Sequence, residues 1–328
     1  MLCDSPCTLC PRMCRADRRT QTGFCNCGLK PKVARAALHF WEEPCLSGTR
    51  GSGAVFFSGC TLRCGYCQNA RISAGGFGAE ISEARLAETF LELQEQGAHN
   101  LNLVTATQYL PAVLRALGMA RPRLHIPVVY NCGGYERVET IRALKGCVDI
   151  FLPDFKYMSP ALAGRYSHAP DYPAVAAAAV KEMAAQTGAP VFGPDGLMRS
   201  GVIVRHLVLP GARRDSMAVL GWLHDNLPAG SFLLSLMSQY TPYQAVDGCP
   251  ELSRRVTTFE YESVVREALR LGLTDGYRQE KTSAREEYTP PFDLEGVVQS
   301  APSEADKKRP LRRRGGNQNI NKMKEEEK

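Results

Sequence analysis

Three cysteines within eight residues, Cys60, Cys64 and Cys67, constrain this chain more than any other feature of its sequence. Six more, Cys3, Cys7, Cys10, Cys14, Cys25 and Cys27, crowd the first thirty residues of a 328-residue chain. No apolar run reaches the roughly 20 residues that cross a bilayer, and Met1–Cys7 lacks a basic segment followed by an apolar core. We therefore expect a cytoplasmic protein, and a reducing compartment does not sustain disulfides. Clustered thiols then point to metal or iron–sulfur ligation. The isolated Cys45, Cys132, Cys147 and Cys249 are expected to be small buried hydrophobes.

The second cluster follows Gly53-Ala54-Val55-Phe56-Phe57-Ser58-Gly59, a short apolar run ended by glycine, which reads as a buried strand entering a loop. Thiolates select zinc, copper(I) or iron–sulfur centres. A closed zinc site wants a fourth protein ligand, yet no Cys or His follows Cys67 until His99. Three thiolates can instead hold three irons of a cubane and leave the fourth open. The spacing favours that open cluster over closed zinc.

Residues 59–69, Gly-Cys-Thr-Leu-Arg-Cys-Gly-Tyr-Cys-Gln-Asn, resemble the cluster loop of radical S-adenosylmethionine (SAM) enzymes, with Tyr66 as the aromatic before the third cysteine. The Cys67-Gln68-Asn69 ending is similar to the branch of pyruvate formate-lyase activating enzyme. The resemblance implies a [4Fe–4S] cluster on Cys60, Cys64 and Cys67, and SAM chelating the open iron. It implies that reductive cleavage of SAM yields a 5′-deoxyadenosyl radical that abstracts hydrogen from a substrate. A low-potential electron donor of flavodoxin or ferredoxin type and a protein substrate are the implied partners.

Apolar, β-rich segments alternate with helical patterns. Strands are expected at Ala54–Phe57, Leu101–Val104, His125–Asn131, Val148–Phe155, Val202–Leu209 and Ser231–Ser238, with a last short one at Gly276–Arg278. Helices are expected after Ser82 and at 110–117, 137–145, 171–186, 215–226 and 259–271. This α/β pattern predicts a parallel sheet, and the resemblance implies a partial (β/α)6 TIM-like barrel. Reactive groups should then gather at the carboxyl ends of the strands. Residues 191–201, with Gly-Pro-Asp-Gly inside, read as an inserted hairpin. The expected organisation is a cysteine-rich segment at 1–47, the barrel at 48–281 and an unstructured charged tail at 282–328.

Polar residues at those strand ends are the cofactor-binding candidates. Thr105 and Thr107 follow strand two, where many relatives have Gly-Gly-Glu-Pro, and Asn131 ends strand three. Asp154 and Lys156 share one face of strand four. On strand five, Arg205 and His206 point to opposite faces; Arg205 resembles a position that meets a carboxylate or ribose, and His206 is expected to be structural. Gln239 ends strand six and is expected on the substrate side rather than at the cofactor.

The N-terminal cysteines suffice for a second centre, with Cys7, Cys10, Cys14 and Cys25 as the quartet, Cys27 and Cys3 as spares, and iron–sulfur or zinc both open. The net charge of +6 invites a nucleic-acid reading. Residues 301–328, however, hold nine Lys/Arg against five Asp/Glu, leaving 31 against 29 elsewhere. The body is nearly neutral, and the tail reads as solvated rather than as a polyanion site. Nucleic acid is not an expected partner. The rival readings are radical chemistry on RNA or a small molecule, and a zinc-stabilised nucleic-acid-binding module.

Overall fold

In the computed structural model the described residues are 5–279 and 289–298, with the backbone of 317–319. One twisted sheet organises them. Its strands are β1 (Lys32–His39), β2 (Ser52–Phe57), β3 (Ala79–Glu80), β4 (Leu101–Val104), β5 (Val128–Cys132) and β6 (Ile150–Pro153), then β7 (Val191–Phe192), β8 (Met198–Leu207), β9 (Leu233–Met237), β10 (Gly276–Gln279) and β11 (Asn317–Asn319). The helices are α1 (Pro44–Ser47), α2 (Ala70–Ser73), α3 (Glu83–Glu95), α4 (Leu110–Ala120), α5 (Val138–Arg142), α6 (Pro160–Ser167), α7 (Tyr172–Thr187), α8 (Arg213–Asn226) and α9 (Thr258–Arg270).

Strands β2, β4, β5, β6, β8, β9 and β10 are parallel neighbours in that order, with helices on the connections. The six expected β/α units are present, and the sheet stays open as a partial barrel. At one edge β1 and β3 add antiparallel strands, and at the other β11 pairs with β10. The sequence reading did not anticipate β1, because Lys32 and Arg35 interrupt its apolar run. The 191–201 hairpin forms as β7 on β8.

Alternation along the strands divides the core. Leu103, Tyr130, Phe151 and Val204 face the helical layer, whereas Val129, Ile150, Leu152 and Ile203 face the concave side. There Cys45 and Leu46 of α1 plug the barrel floor. Side chains at the carboxyl strand ends are consequently held above an apolar plug.

Residues 289–298, within the stretch expected to lack structure, pack on β1. Phe292 is buried against Phe56, Leu294 N–H donates to Ala34 O at 3.0 Å, and Arg35 pairs with Asp293 and Glu295. The Lys307–Arg314 basic run lies outside the described residues. Among the described residues no helix is long and apolar enough to cross a membrane.

Candidate active site

A cavity of about 190 Å³ opens at the carboxyl ends of the parallel strands. The loop after β2 supplies Cys60, Cys64, Tyr66 and Cys67 to it. Two backbone features set the loop's course. Gly59 takes φ +82°, and a Cβ there would overlap Cys27 Sγ and stand 2.7 Å from Cys25 O, so only glycine fits. Arg63 is also left-handed, at φ +56°, turning the chain into Cys64.

Each thiol has a polar neighbour. Leu62 N–H points at Cys60 Sγ (3.4 Å), Ser167 Oγ donates to Cys64 Sγ (2.9 Å) and Ser73 Oγ to Cys67 Sγ (3.4 Å). Burial pushes the Cys60 thiol up to about 12 and raises that of Cys64. Thiols kept protonated by burial need a positive centre to ionise them, and a metal cluster is such a centre. Tyr66 is fixed by a 2.6 Å bond to Tyr157 OH and by edge contacts with Tyr166 and Tyr240.

A charged group shares the cavity with the thiols. Arg205 donates to Asp154 Oδ1 (3.0 Å), Asn131 Oδ1 (2.6 Å) and Glu42 Oε2 (3.3 Å), and Lys156 Nζ donates to Asp154 Oδ2 (2.7 Å). Burial works against every charge here. It raises the Asp154 carboxyl, but Lys156 and Arg205 outweigh it and hold the net below the usual range. It opposes the Lys156 ammonium too, and Asp154 and Cys64 outweigh it. Glu42 stays raised despite Arg205.

Thr105, Asn131, Asp154, Lys156 and Arg205 thus line the same cavity as the three cysteines, and Gln239 joins them. Thr107 does not. It is fully buried on the far side of that turn, its hydroxyl bonded to Tyr130 OH (2.8 Å) and Glu136 (3.1 Å), because the turn after β4 coils into a short 3-10 helix and rotates it inward. His206 is buried with Nδ1 on Phe155 O (2.6 Å), a structural placement.

Three contributors escaped sequence reasoning. Gln108 donates to the carbonyls of Ser58, Gly59 and Thr105 and ties the loop's start to the end of β4. Glu42 reaches the site from the end of β1, signalled only by an acidic pair ahead of Pro44. Ser167 carries no local signal, being 103 residues from Cys64.

Cys7, Cys10 and Cys25 are buried and Cys14 is exposed, with Cys25 beside Gly59 at the start of the loop; Cys3 lies outside the described residues. Cys45, Cys132 and Cys249 are buried and Cys147 is half-buried. Among the described residues no three Cys, His, Asp or Glu side chains are arranged to hold a single metal ion.

A parallel α/β sheet presenting three thiols and a charged set at its carboxyl edge defines the class of site, one suited to a thiolate-bound metallocofactor with a polar ligand beside it. Residues 54–187 match the family described as the Radical SAM superfamily. The chain is 28% identical over 279 residues to an uncharacterised protein, MJ0674, of Methanocaldococcus jannaschii, covering 81% of this chain and 75% of that one. A crystal structure of methylornithine synthase (PylB) is similar at a TM-score of 0.42 and 14% identity, over 77% of this chain and 64% of that one. The radical SAM family uses a [4Fe–4S] cluster and SAM. The donor set fits both, with three soft thiols beside paired cations and carboxylates in one cavity.

Proposed function

We propose that the protein is a radical SAM enzyme that activates a glycyl radical enzyme, with Cys60, Cys64 and Cys67 ligating a [4Fe–4S] cluster. When bound, the cluster supplies the electron that splits SAM into methionine and a 5′-deoxyadenosyl radical. The observation that carries the reading is the shared cavity, in which the three thiols lie together with Asn131, Asp154, Lys156 and Arg205 at the carboxyl edge of the sheet.

The chain's residues divide the work. Lys156 and Arg205 are the cations to receive the SAM carboxylate, and Asp154 with Asn131 can accept from its amino group and ribose hydroxyls. Phe57, Leu62 and Leu207 in the wall exclude water, shielding a radical able to attack most C–H bonds. Tyr66, locked by three other tyrosines, keeps Cys64 and Cys67 in place. Activation of a protein glycine is supported by the Cys67-Gln68-Asn69 ending of the loop.

The test is anaerobic turnover of dithionite-reduced protein with SAM, measuring 5′-deoxyadenosine and methionine. Both should form in the wild type and vanish in Cys60→Ala; cleavage that survives this change would refute the assignment. Mixing with a glycyl radical enzyme from the same organism should produce a glycyl radical signal in electron paramagnetic resonance. SAM cleavage without that signal would overturn the activase half.

A further inference from the structure

The described N-terminal residues before β1, 5–31, contain no helix or strand segment, yet Cys7, Leu9, Cys10, Cys25 and Cys27 there are buried. Few backbone bonds hold them, among them Cys7 N–H to Ala16 O (2.9 Å) and Arg15 N–H to Cys7 O (3.0 Å). Cys14 is flanked by two left-handed residues, Met13 and Arg15. The thiols converge. A Cβ on Gly23 would stand 3.1 Å from Cys14 Sγ and 3.6 Å from Cys25 Sγ, and Cys7 and Cys10 are electrostatic neighbours of both. Cys27 adjoins this group, its side chain hydrogen-bonded to that of Cys25 and its thiol also donating to Cys25 O (3.2 Å) and Ser58 O (3.5 Å).

A second observation concerns charge. Arg18 is 3% exposed, and among the described residues its guanidinium donates only to the carbonyls of Cys27, Gln108 and Gly28. No carboxylate among the described residues pairs with it, and a buried cation without a counter-charge is costly. Its electrostatic neighbours include the thiols of Cys7, Cys25 and Cys27. Four metal-bound thiolates are a net anion and supply the missing charge.

We propose that Cys7, Cys10, Cys14 and Cys25 hold a second metal centre, a four-thiolate iron–sulfur cluster, which braces the 60–67 loop. Among the described residues no three thiols are arranged to hold a single ion, and the centre we assign to the four thiolates is a four-iron cubane. The bracing runs through Arg12, between Cys10 and Cys14. Its Nε donates to Thr61 O (2.9 Å), and its other nitrogens to His168 O (2.5 Å) and Ser167 O (3.2 Å), while Ser167 Oγ holds Cys64. Only this bracing role rests on the function proposed above; the metal site stands without it.

The experiment counts iron, sulfide and zinc in anaerobically purified full-length protein and in the Cys60/Cys64/Cys67→Ala triple variant. The variant should retain about half the wild-type iron, as about four iron and four sulfide per chain. Stoichiometric zinc in its place would sustain the four-thiolate site and overturn the cubane. A variant without metal, beside a wild type with about four iron, would sink the N-terminal site and leave the function standing; an iron-free wild type would sink both the function and the cubane. Should the variant not fold, alkylation of exposed Cys14 in the wild type decides. Cys14 should be protected in the metal-loaded protein and react at least about tenfold faster once metal is stripped, with half-buried Cys147 as reference. Equal reactivity, or protection lifted by reductant alone, would overturn the proposal.

Discussion

Asp154 and Arg205 meet at the edge of parallel strands β6 and β8, joined by an isolated backbone bridge and by a 3.0 Å bond from Arg205 Nε to Asp154 Oδ1. Arg205 also neutralises Glu42, so one guanidinium serves two nearly buried carboxylates. Arg205→Ala should cost about 3 kcal/mol of stability through uncompensated buried charge. A shift of the denaturant midpoint at unchanged slope would register it. A loss below about 1 kcal/mol would mean the group is more hydrated than its burial implies. Arg205→Lys should not restore SAM cleavage, because a single ammonium cannot span Asp154, Asn131 and Glu42.

Ser167→Ala removes the hydroxyl that donates to Cys64 Sγ. Hydrogen bonds to cluster sulfurs favour the more negative, reduced state. The reduction potential of the Cys60/Cys64/Cys67 centre should therefore fall, while stability drops by only about 1 kcal/mol. Spectroelectrochemical titration reads the shift, and an unchanged or raised potential contradicts the assigned contact.

Glu136 is 1% exposed, and burial pushes its carboxyl up to about 7, against about 4.3 in the unfolded chain. With the folded value raised, its contribution is full below about pH 4.3 and is lost as pH climbs to about 7, a difference of about 4 kcal/mol. Glu136→Gln should remove this slope and become more stable than wild type at pH 8. Parallel wild-type and variant curves between pH 4.5 and 7.5 would show the carboxyl to be unperturbed.

Gly59→Ala should lower stability by about 3 kcal/mol and deplete iron, because φ +82° and the contact with Cys25 and Cys27 leave no room for a methyl group. Thermal unfolding and iron content report on it together. An alanine variant of normal iron content and midpoint would refute the close approach of the two cysteine segments.

The three cysteines, the alternation of strands and helices, and the polar residues at strand ends are local signals, so the parallel sheet and most of the cavity wall were legible in the sequence. Asp154 and Lys156 fall on one face because strand periodicity is two, and that follows from spacing alone. Tertiary structure decided the rest. Ser167 reaches Cys64, Glu42 reaches Arg205, and Arg12 reaches Thr61 across 49 to 163 residues. No spacing rule governs such partners, since folding chooses them by which loop ends arrive at the same strand edge. Thr107 shows the converse. Its neighbour Thr105 lines the cavity while Thr107 turns into the core, because a 3-10 coil rather than an extended strand follows β4. A residue's chemistry is written in its side chain, but whether that chemistry faces cofactor or core depends on backbone turns set by long-range packing.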